Sequence, residues 1–397
     1  MPRLKKRSKR VLVKIAAGIT VVLISPALSS LAGEQKDTLI SLWQNEAETI
    51  SNRSETGNRL HSLEMSNSAL LLYKPADGEI IPQTLPFPES KNEPDETEYE
   101  PSFSEPAAQV FSLNITDTRE EPVIFEEVDG RIVKTTFAPN GGEKFLNLNL
   151  AGQVRNETGL DNSFVLSEAG KTPDIKLTLN GEPEILIMHT HTTEAYQPCE
   201  YDYFDASYYG RSFDSSRNIV AVGAEIAKSF AQAGITVIHD GTVHDSPQFS
   251  GAYARSAETV NQILKAYPSI KVVLDIHRDA IDGGDGSRIA AVAQVDGRDA
   301  AQIMIISAAD DGTYDMPHYL QNFRLASLFQ QYTEFNYPDI TRPVLFQYCQ
   351  YNQQLTTGSL LIEVGAYGNT LEEAKYAGQL IGKSMAEALI SINLLEN

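Results

Sequence analysis

Short apolar runs alternate with amphipathic segments along the second half of the chain, and this alternation is the feature that most restricts the fold. Ile185-Leu186-Ile187-Met188 is a continuous apolar run, which suits a strand buried on both faces. Strands that alternate with helices form a mostly parallel sheet covered on both sides. The sequence therefore predicts an α/β fold whose mostly parallel sheet is flanked by helices on both faces. The predicted strands are 185–188, 235–238, 272–276, 289–295, 302–307 and 359–364, and the predicted helices are 216–233, 254–267, 319–334 and 370–389.

The N-terminus has the pattern of a membrane-targeting segment. The first 14 residues contain seven Lys or Arg and no acidic residue, and the segment from Val11 to Leu31 is apolar except for Lys14. A basic head stays in the cytoplasm, and the apolar run is close to the lower length limit for crossing a bilayer. We expect residues 1–34 to form a single-pass signal-anchor at the cell membrane, with the body extracytoplasmic. The alternative is a cleaved signal peptide, with Ser30-Leu31-Ala32 as the cleavage site.

Three segments of different composition separate this N-terminus from the α/β body. Residues 35–73 form a juxtamembrane region of mixed composition. Residues 74–108 contain seven prolines and nine acidic residues, a composition that predicts a disordered, extended linker. Residues 109–180 show short alternating runs and turn pairs, which predict a small β-rich lead-in. The catalytic domain is then expected over residues 181–397.

The charge and the cysteine content exclude several classes of protein. The chain has 32 Lys and Arg against 53 Asp and Glu, a net charge of −21 at pH 7. Nucleic acid is not an expected partner, because phosphate binding needs a basic surface. The two cysteines exclude a disulfide-rich scaffold and any four-cysteine zinc module.

Residues that suit metal binding follow three of the predicted strands. Ligands of open α/β sheets bind at the carboxyl ends of the strands, and a catalytic zinc ion keeps three protein ligands and one open position. We expect His189 and His277 to be the nitrogen ligands and Glu194 to be the third, with Asp214 as the reserve third ligand. Glu363 would then be the general base and acid.

Three further residues are expected to support this centre. His191 lies two residues after His189 and is expected to support the site from outside the metal ligands, together with Asp275 and Arg278. Arg278 is also a candidate to bind a carboxylate of the substrate. Other active-site types fit less well. The chain has neither the HExxH motif of helix-borne zinc proteases nor the G-x-S-x-G motif of a serine nucleophile, and its cysteines lack a basic setting.

The segment His189-Thr-His-Thr-Thr-Glu-Ala-Tyr196 resembles the stage II sporulation protein P family of wall hydrolases. Asp275-Ile-His-Arg-Asp-Ala280 and Leu361-Ile-Glu-Val-Gly365 fit the same family, and the resemblance covers about residues 180–394. It implies a zinc amidase fold, cleavage of the N-acetylmuramoyl-L-alanine amide of peptidoglycan, and endopeptidase cutting of peptide cross-links. It also implies a role in engulfment during endospore formation, beside a lytic transglycosylase and a multi-pass membrane protein.

The resemblance carries over three site residues by position, and it differs at a fourth. His189, His277 and Glu363 match the first His, the later His and the late Glu of the broader zinc amidase group. That group has its middle Glu at the start of the first helix, where this chain has Ser215 beside Asp214. Glu194 is the proposed substitute there.

Three functions remain as alternatives from the sequence. The leading hypothesis is a membrane-anchored zinc peptidoglycan amidase. The second is a catalytically silent wall-binding or regulatory module of the same fold. The third is a zinc deacylase or carboxypeptidase that acts on free peptides, and it differs from the first in needing no muramoyl glycan.

Overall fold

The computed structural model describes residues 11–15, 18–22, 108–116, 123, 125 and 127–395. The chain divides into two compact units, Met1–Leu72 and Tyr73–Asn397. In the first unit, β1 (Val11–Ile15) and β2 (Gly18–Val22) pair antiparallel within the predicted anchor. The rest of the anchor, the juxtamembrane region and nearly all of the linker lie outside the described residues, so those assignments stay predictions. None of the helices among the described residues combines the length and the apolar character needed to cross a bilayer.

The second unit contains thirteen described strands and five α-helices. The strands are β3 (Val110–Leu113), β4 (Gly130–Thr135), β5 (Phe145–Asn147), β6 (Gln153–Asn156), β7 (Ile185–Met188), β8 (Tyr203–Phe204), β9 (Val237–Asp240), β10 (Val272–Asp279), β11 (Arg288–Val295), β12 (Arg298–Ala301), β13 (Ile303–Ala309), β14 (Val344–Tyr348) and β15 (Ser359–Ala366). The helices are α1 (Asn162–Ala169), α2 (Ile219–Gln232), α3 (Ala252–Ala266), α4 (Tyr319–Asn336) and α5 (Leu371–Leu395).

Nine strands form one mixed sheet in the order β3-β9-β7-β10-β15-β13-β14-β6-β5. Six of its eight neighbouring pairs are parallel, and the β13–β15 and β5–β6 pairs are antiparallel. A second sheet has the order β12-β11-β4-β8. The α/β fold with a large sheet flanked by helices therefore agrees with the sequence prediction, although β11 belongs to the second sheet.

The segment predicted as a separate lead-in, residues 109–180, is part of this body. Its first strand, β3, pairs with β9, and β6 pairs with β14, so both extend the main sheet. Its strand β4 pairs with β11 in the second sheet. Within this segment β5 pairs with β6, whereas β3, β4 and β6 also pair with strands that lie far away in the sequence.

The two faces of the main sheet are covered by different helices. Along β7, Ile185 and Ile187 pack into the larger hydrophobic core together with residues of α2, α4 and α5. Leu186 and Met188 pack into a smaller core with Val260 of α3. Because side chains alternate along a strand, the odd-numbered residues of β7 face the larger core and the even-numbered residues face the smaller one.

Side chains cap the starts of two helices. At the start of α5, Thr370 N donates to Glu373 Oε2 and Glu373 N donates to Thr370 Oγ1, which together form a capping box. Helix α2 begins later than predicted, because the Asn218 side chain caps it by accepting a hydrogen bond from Val220 N.

Candidate active site

Two central strands bring their polar residues to the face that α3 covers. In β10, Leu274 and Ile276 point into the larger core, so Asp275 and His277 point to the opposite side. Glu363 of β15 is paired in register with His277 on the parallel neighbour. The sequence predicted that these strand ends would meet, and the structure brings His277 and Glu363 together.

The Asp275 carboxylate lies against one edge of the His277 imidazole. Its Oδ1 lies 2.8 Å from His277 Nε2, although the alignment is poor for a hydrogen bond. The same carboxylate accepts hydrogen bonds from Thr190 N at 2.8 Å and from Thr190 Oγ1 at 2.7 Å. Burial disfavours the ionised carboxylate, but His277 and Thr190 hold the pKa of Asp275 below its usual value. Nδ1 of His277 is left to face the site.

Glu194 lies on the other side of His277. The turn after β7 places Glu194 Oε2 3.8 Å from His277 Nδ1, and this oxygen accepts a hydrogen bond from Arg278 N at 3.0 Å. Burial opposes the His277 cation, yet the carboxylates of Asp275, Glu194 and Glu363 together raise the pKa of His277 to about 9. A divalent cation would compete with this proton, because the same three carboxylates attract both.

His191 faces His277 from the same turn. The two imidazole centroids are 5.3 Å apart and their rings are perpendicular. Phe249 stacks on the His191 ring, with the two ring centroids 4.1 Å apart. Nδ1 of His191 is buried and has no hydrogen-bond partner. Burial lowers the pKa of His191 to about 4, so its imidazole is neutral at pH 7.

His189 lies on the opposite face of the sheet, away from His277. It continues the alternation of Ile185 and Ile187 toward α2, where its Nε2 is 3.0 Å from His239 Nε2. Its Nδ1 is 3.0 Å from the carbonyl oxygen of Ile276. Since both ring nitrogens are already engaged, the metal-ligand role expected of His189 does not fit its position.

Glu363 presents an unpaired oxygen to the site. Part of the residue reaches solvent, but its Oε2 is buried and has no hydrogen-bond partner. Burial raises the pKa of Glu363 to about 8, against the opposing effect of His277. A carboxyl whose pKa lies near the working pH can both take up and release a proton.

Two other predicted residues, Asp214 and Arg278, form hydrogen bonds with neighbouring parts of the chain. Asp214 Oδ1 accepts hydrogen bonds from Ser216 N and Ser216 Oγ in the turn before α2. The Arg278 guanidinium donates to the carbonyl oxygens of Gly210 and Asp279. The structure therefore gives the reserve ligand and the expected substrate arginine local structural contacts.

Three residues at the edge of the site, Arg211, Phe249 and Tyr253, were not predicted from the sequence. Arg211 and Phe249 lie beside Glu194 and His191, yet neither belongs to a strand end or a recognisable motif. Tyr253 lies in the first turn of α3. Its ring is nearly parallel to the His277 imidazole, and the two ring centroids are 6.4 Å apart. Its amphipathic helix was predictable, but its contact with His277 depends on how α3 crosses the sheet.

Comparison with known proteins identifies the family. The family model for stage II sporulation protein P matches residues 86–386, about three quarters of the chain. The chain belongs to the stage II sporulation protein P family. The member from Bacillus subtilis (strain 168) is 25% identical over 250 residues, which cover 60% of this chain and 57% of that protein. The chain thus matches less than two thirds of the length of this relative.

Solved amidase structures are also similar in part to this family member. The N-acetylmuramoyl-L-alanine amidase AmiC2 of Nostoc punctiforme is 15% identical, with a TM-score of 0.29, over 54% of this chain and 98% of that one. The CwlD amidase from Clostridioides difficile, in complex with the GerS lipoprotein, is 13% identical, with a TM-score of 0.32, over 54% of this chain and 100% of that one.

The donor set of this family member fits a zinc ion. His191, Glu194 and His277 supply two imidazoles and one carboxylate, the usual donors of a catalytic zinc, and a buried nitrogen of His191 has no other partner. Asp275 beside His277 is the carboxylate partner that zinc-binding histidines commonly have. These three residues would still have to draw together around the ion.

A lysine lies at the centre of a second cluster of acidic side chains. Among the described residues, the one group of three whose potential ligand atoms all lie within 4.8 Å of one another is Glu200, Asp299 and Glu373. The Lys134 ammonium lies 2.6 Å, 2.7 Å and 3.0 Å from these three carboxylates. Lys134 thus supplies the positive charge that a metal would bring, so this group is an ion-pair cluster.

Proposed function

We propose that this chain is a zinc-dependent peptidoglycan hydrolase that cleaves the N-acetylmuramoyl-L-alanine amide bond. The observation that carries the proposal is the meeting of His191, Glu194, His277 and Glu363 on one face of the sheet, where buried nitrogen and oxygen atoms lack partners. Membership of the stage II sporulation protein P family supports the substrate class.

The proposed ligands are His191, Glu194 and His277. His191 takes the role that the sequence suggested for His189, because only His191 shares the face of His277. The contact of Asp275 with Nε2 leaves Nδ1 of His277 for the metal. A zinc ion bound by these residues would polarise the scissile carbonyl and lower the pKa of a bound water.

Glu363 is the proposed general base and acid. Its Oε2 is buried beside His277 and has no other hydrogen-bond partner, so it is available to accept a proton from the attacking water. The same carboxyl then donates this proton to the nitrogen of the leaving L-alanine as the carbon–nitrogen bond breaks. Its raised pKa favours the protonated form that the second step requires.

The wider biological role is part of the same proposal. We infer that the protein remodels the wall during engulfment in endospore formation and also cuts peptide cross-links. It would do so from the cell membrane, held by the N-terminal anchor with its body outside. A lytic transglycosylase and a multi-pass membrane protein would be its partners, as the family resemblance implies.

Digestion of purified sacculi tests the activity. The full chain in detergent is incubated with sacculi, with and without added zinc, and the products are analysed by mass spectrometry. We expect free stem peptides and peptide-free glycan only in the presence of metal. The Glu363→Gln protein should be slower by about 10²- to 10⁴-fold, the usual contribution of a general base.

A matched substitution separates the role of Glu363 from a general loss of charge. Glu372 is an exposed glutamate in the first turn of α5, so Glu372→Gln should leave the rate unchanged. If the zinc-loaded wild-type protein is folded but releases no product, the chain is better described as a silent wall-binding module. Release of product from glycan-free peptides alone would instead indicate a peptidase.

A further inference from the structure

Arg211 lies beside the proposed metal ligand Glu194. Ser212 N donates to the Thr193 carbonyl and Ala195 N donates to the Gly210 carbonyl, both at 2.9 Å, so the two segments pair antiparallel around residues 194 and 211. Directly opposed residues in such a pair project to the same side. Arg211 Nη2 accordingly lies 4.0 Å from Glu194 Oε1.

One edge of the Arg211 guanidinium is held rigidly. Its Nη1 donates to Asp245 Oδ2 at 2.6 Å and to Thr193 Oγ1 at 3.2 Å. The Asp245 side chain is completely buried and also accepts a hydrogen bond from Thr193 Oγ1 at 2.7 Å. The guanidinium lies over the ring of Phe249, 5.2 Å from its centroid. These contacts fix the plane of the arginine before any ligand arrives.

The other edge of the guanidinium is available. Within the described part of the chain, neither Nε nor Nη2 of Arg211 has a hydrogen-bond partner, and 35% of the side chain is exposed. A planar guanidinium with one edge anchored and the other free is suited to bind a carboxylate. Phe249, which is 57% exposed, adds an apolar wall between this arginine and His191.

We infer that Arg211 binds a carboxylate of the stem peptide next to the scissile amide, and that it makes the site selective for substrates that carry this charge. The inference rests on the proposed function, because it assigns one substrate group to the same site. The free edge of Arg211 lies beside Glu194 and is partly exposed, so it can meet a peptide bound at the proposed metal site. The role is one of positioning and specificity, with no part in the bond-breaking step.

A pair of soluble muropeptides tests this assignment. One has a free α-carboxylate on the second stem residue, and the other has the corresponding carboxamide. We expect the zinc-loaded wild-type chain to prefer the carboxylate by roughly 10- to 100-fold in kcat/KM, as the loss of a charge-assisted hydrogen bond predicts. Arg211→Met should abolish the preference, mainly through KM, and Arg211→Lys should restore part of it.

The matched control is Arg131→Met, which removes an arginine that is 72% exposed and paired with Asp285. It should keep the full preference for the carboxylate. Persistence of the preference in Arg211→Met would overturn the inference. So would loss of bound zinc from Arg211→Met, since Arg211 would then only support Glu194.

Binding measurements separate this inference from the proposed function. Calorimetric binding of the two muropeptides is measured in parallel with cleavage. If neither muropeptide is cleaved but the carboxylate form binds more tightly to the wild type than to Arg211→Met, the proposed function fails and the role of Arg211 holds. Equal binding of both forms to both proteins rejects the role of Arg211.

Discussion

Glu363 and His277 lie side by side on neighbouring strands, and their proton equilibria respond to the same buried environment. Burial raises the pKa of Glu363 to about 8. The carboxylates around His277 raise its pKa to about 9, in spite of its burial. Zinc binds a deprotonated imidazole, so metal uptake at neutral pH should release a proton from His277.

Stability of the metal-free protein should decrease as the pH rises. In the folded protein the pKa values of Glu363 and His277 lie above their ordinary values of 4.5 and 6.5. Their contributions to the free energy of unfolding are therefore full below these ordinary pKa values. They are lost as the pH rises past about 8 for Glu363 and about 9 for His277. We expect the thermal unfolding midpoint, measured in chelator, to fall between pH 5 and pH 9. Glu363→Gln should remove much of the fall below pH 8, and parallel curves for the two proteins would contradict this.

The two histidines of the turn after β7 should respond differently to substitution. His191→Ala removes a proposed ligand and should weaken zinc binding by at least about 100-fold, more than the loss of an outer residue usually does. His189→Ala should keep zinc but lower stability, because it leaves His239 without its 3.0 Å partner inside the core. Zinc competition titrations and urea unfolding of both variants measure these effects. Loss of zinc from a folded His189→Ala protein alone would reverse the assignment.

At the scale of the element, strand alternation decides which residues the sequence can place. The runs around His277 and Glu363 are regular strands, so their meeting at one edge was predictable. His189 also obeys the alternation of β7, which places it with Ile185 and Ile187, but a run that is apolar at every position does not tell which face of the sheet these residues share. The position of His191 could not be predicted, because the chain leaves the strand and turns at residues 190–193.

The packing of α2 on the sheet gives a test of how tightly His189 is held. A Cβ at Gly223 would lie 2.7 Å from ring atoms of His189 and His239, and the contacts of these rings prevent them from moving aside. Gly223→Ala should therefore cost about 1–3 kcal/mol through overpacking, partly offset by the better helix propensity of alanine. Urea unfolding checks this against Gly284→Ala, where a Cβ meets nothing within 4 Å. Equal unfolding midpoints for the two variants would show that the helix can shift.

At the scale of the whole molecule, the pairing partners of distant strands were the least predictable feature. Strand β3 lies in the lead-in, whose short alternating runs predict strands, but its partner β9 lies more than 120 residues further along the chain. Local periodicity indicates that a strand exists and carries no information on its partner. The α/β class was therefore predictable, whereas the merging of the lead-in with the main sheet was not.

The charge distribution of the whole chain predicts its orientation at the membrane. Seven basic residues lie in the first 14 positions, and the remaining chain has 25 basic residues against 53 acidic ones. The basic head should stay in the cytoplasm, so external protease should degrade the body in spheroplasts while intact cells protect it. Carbonate should not extract the full chain from membranes, because its attachment would be hydrophobic. Replacing the basic residues of the head by glutamine should reduce the protease-sensitive fraction. A soluble external product, shorter by about the 32 residues that precede a signal-peptidase site, would show instead that the segment is cleaved.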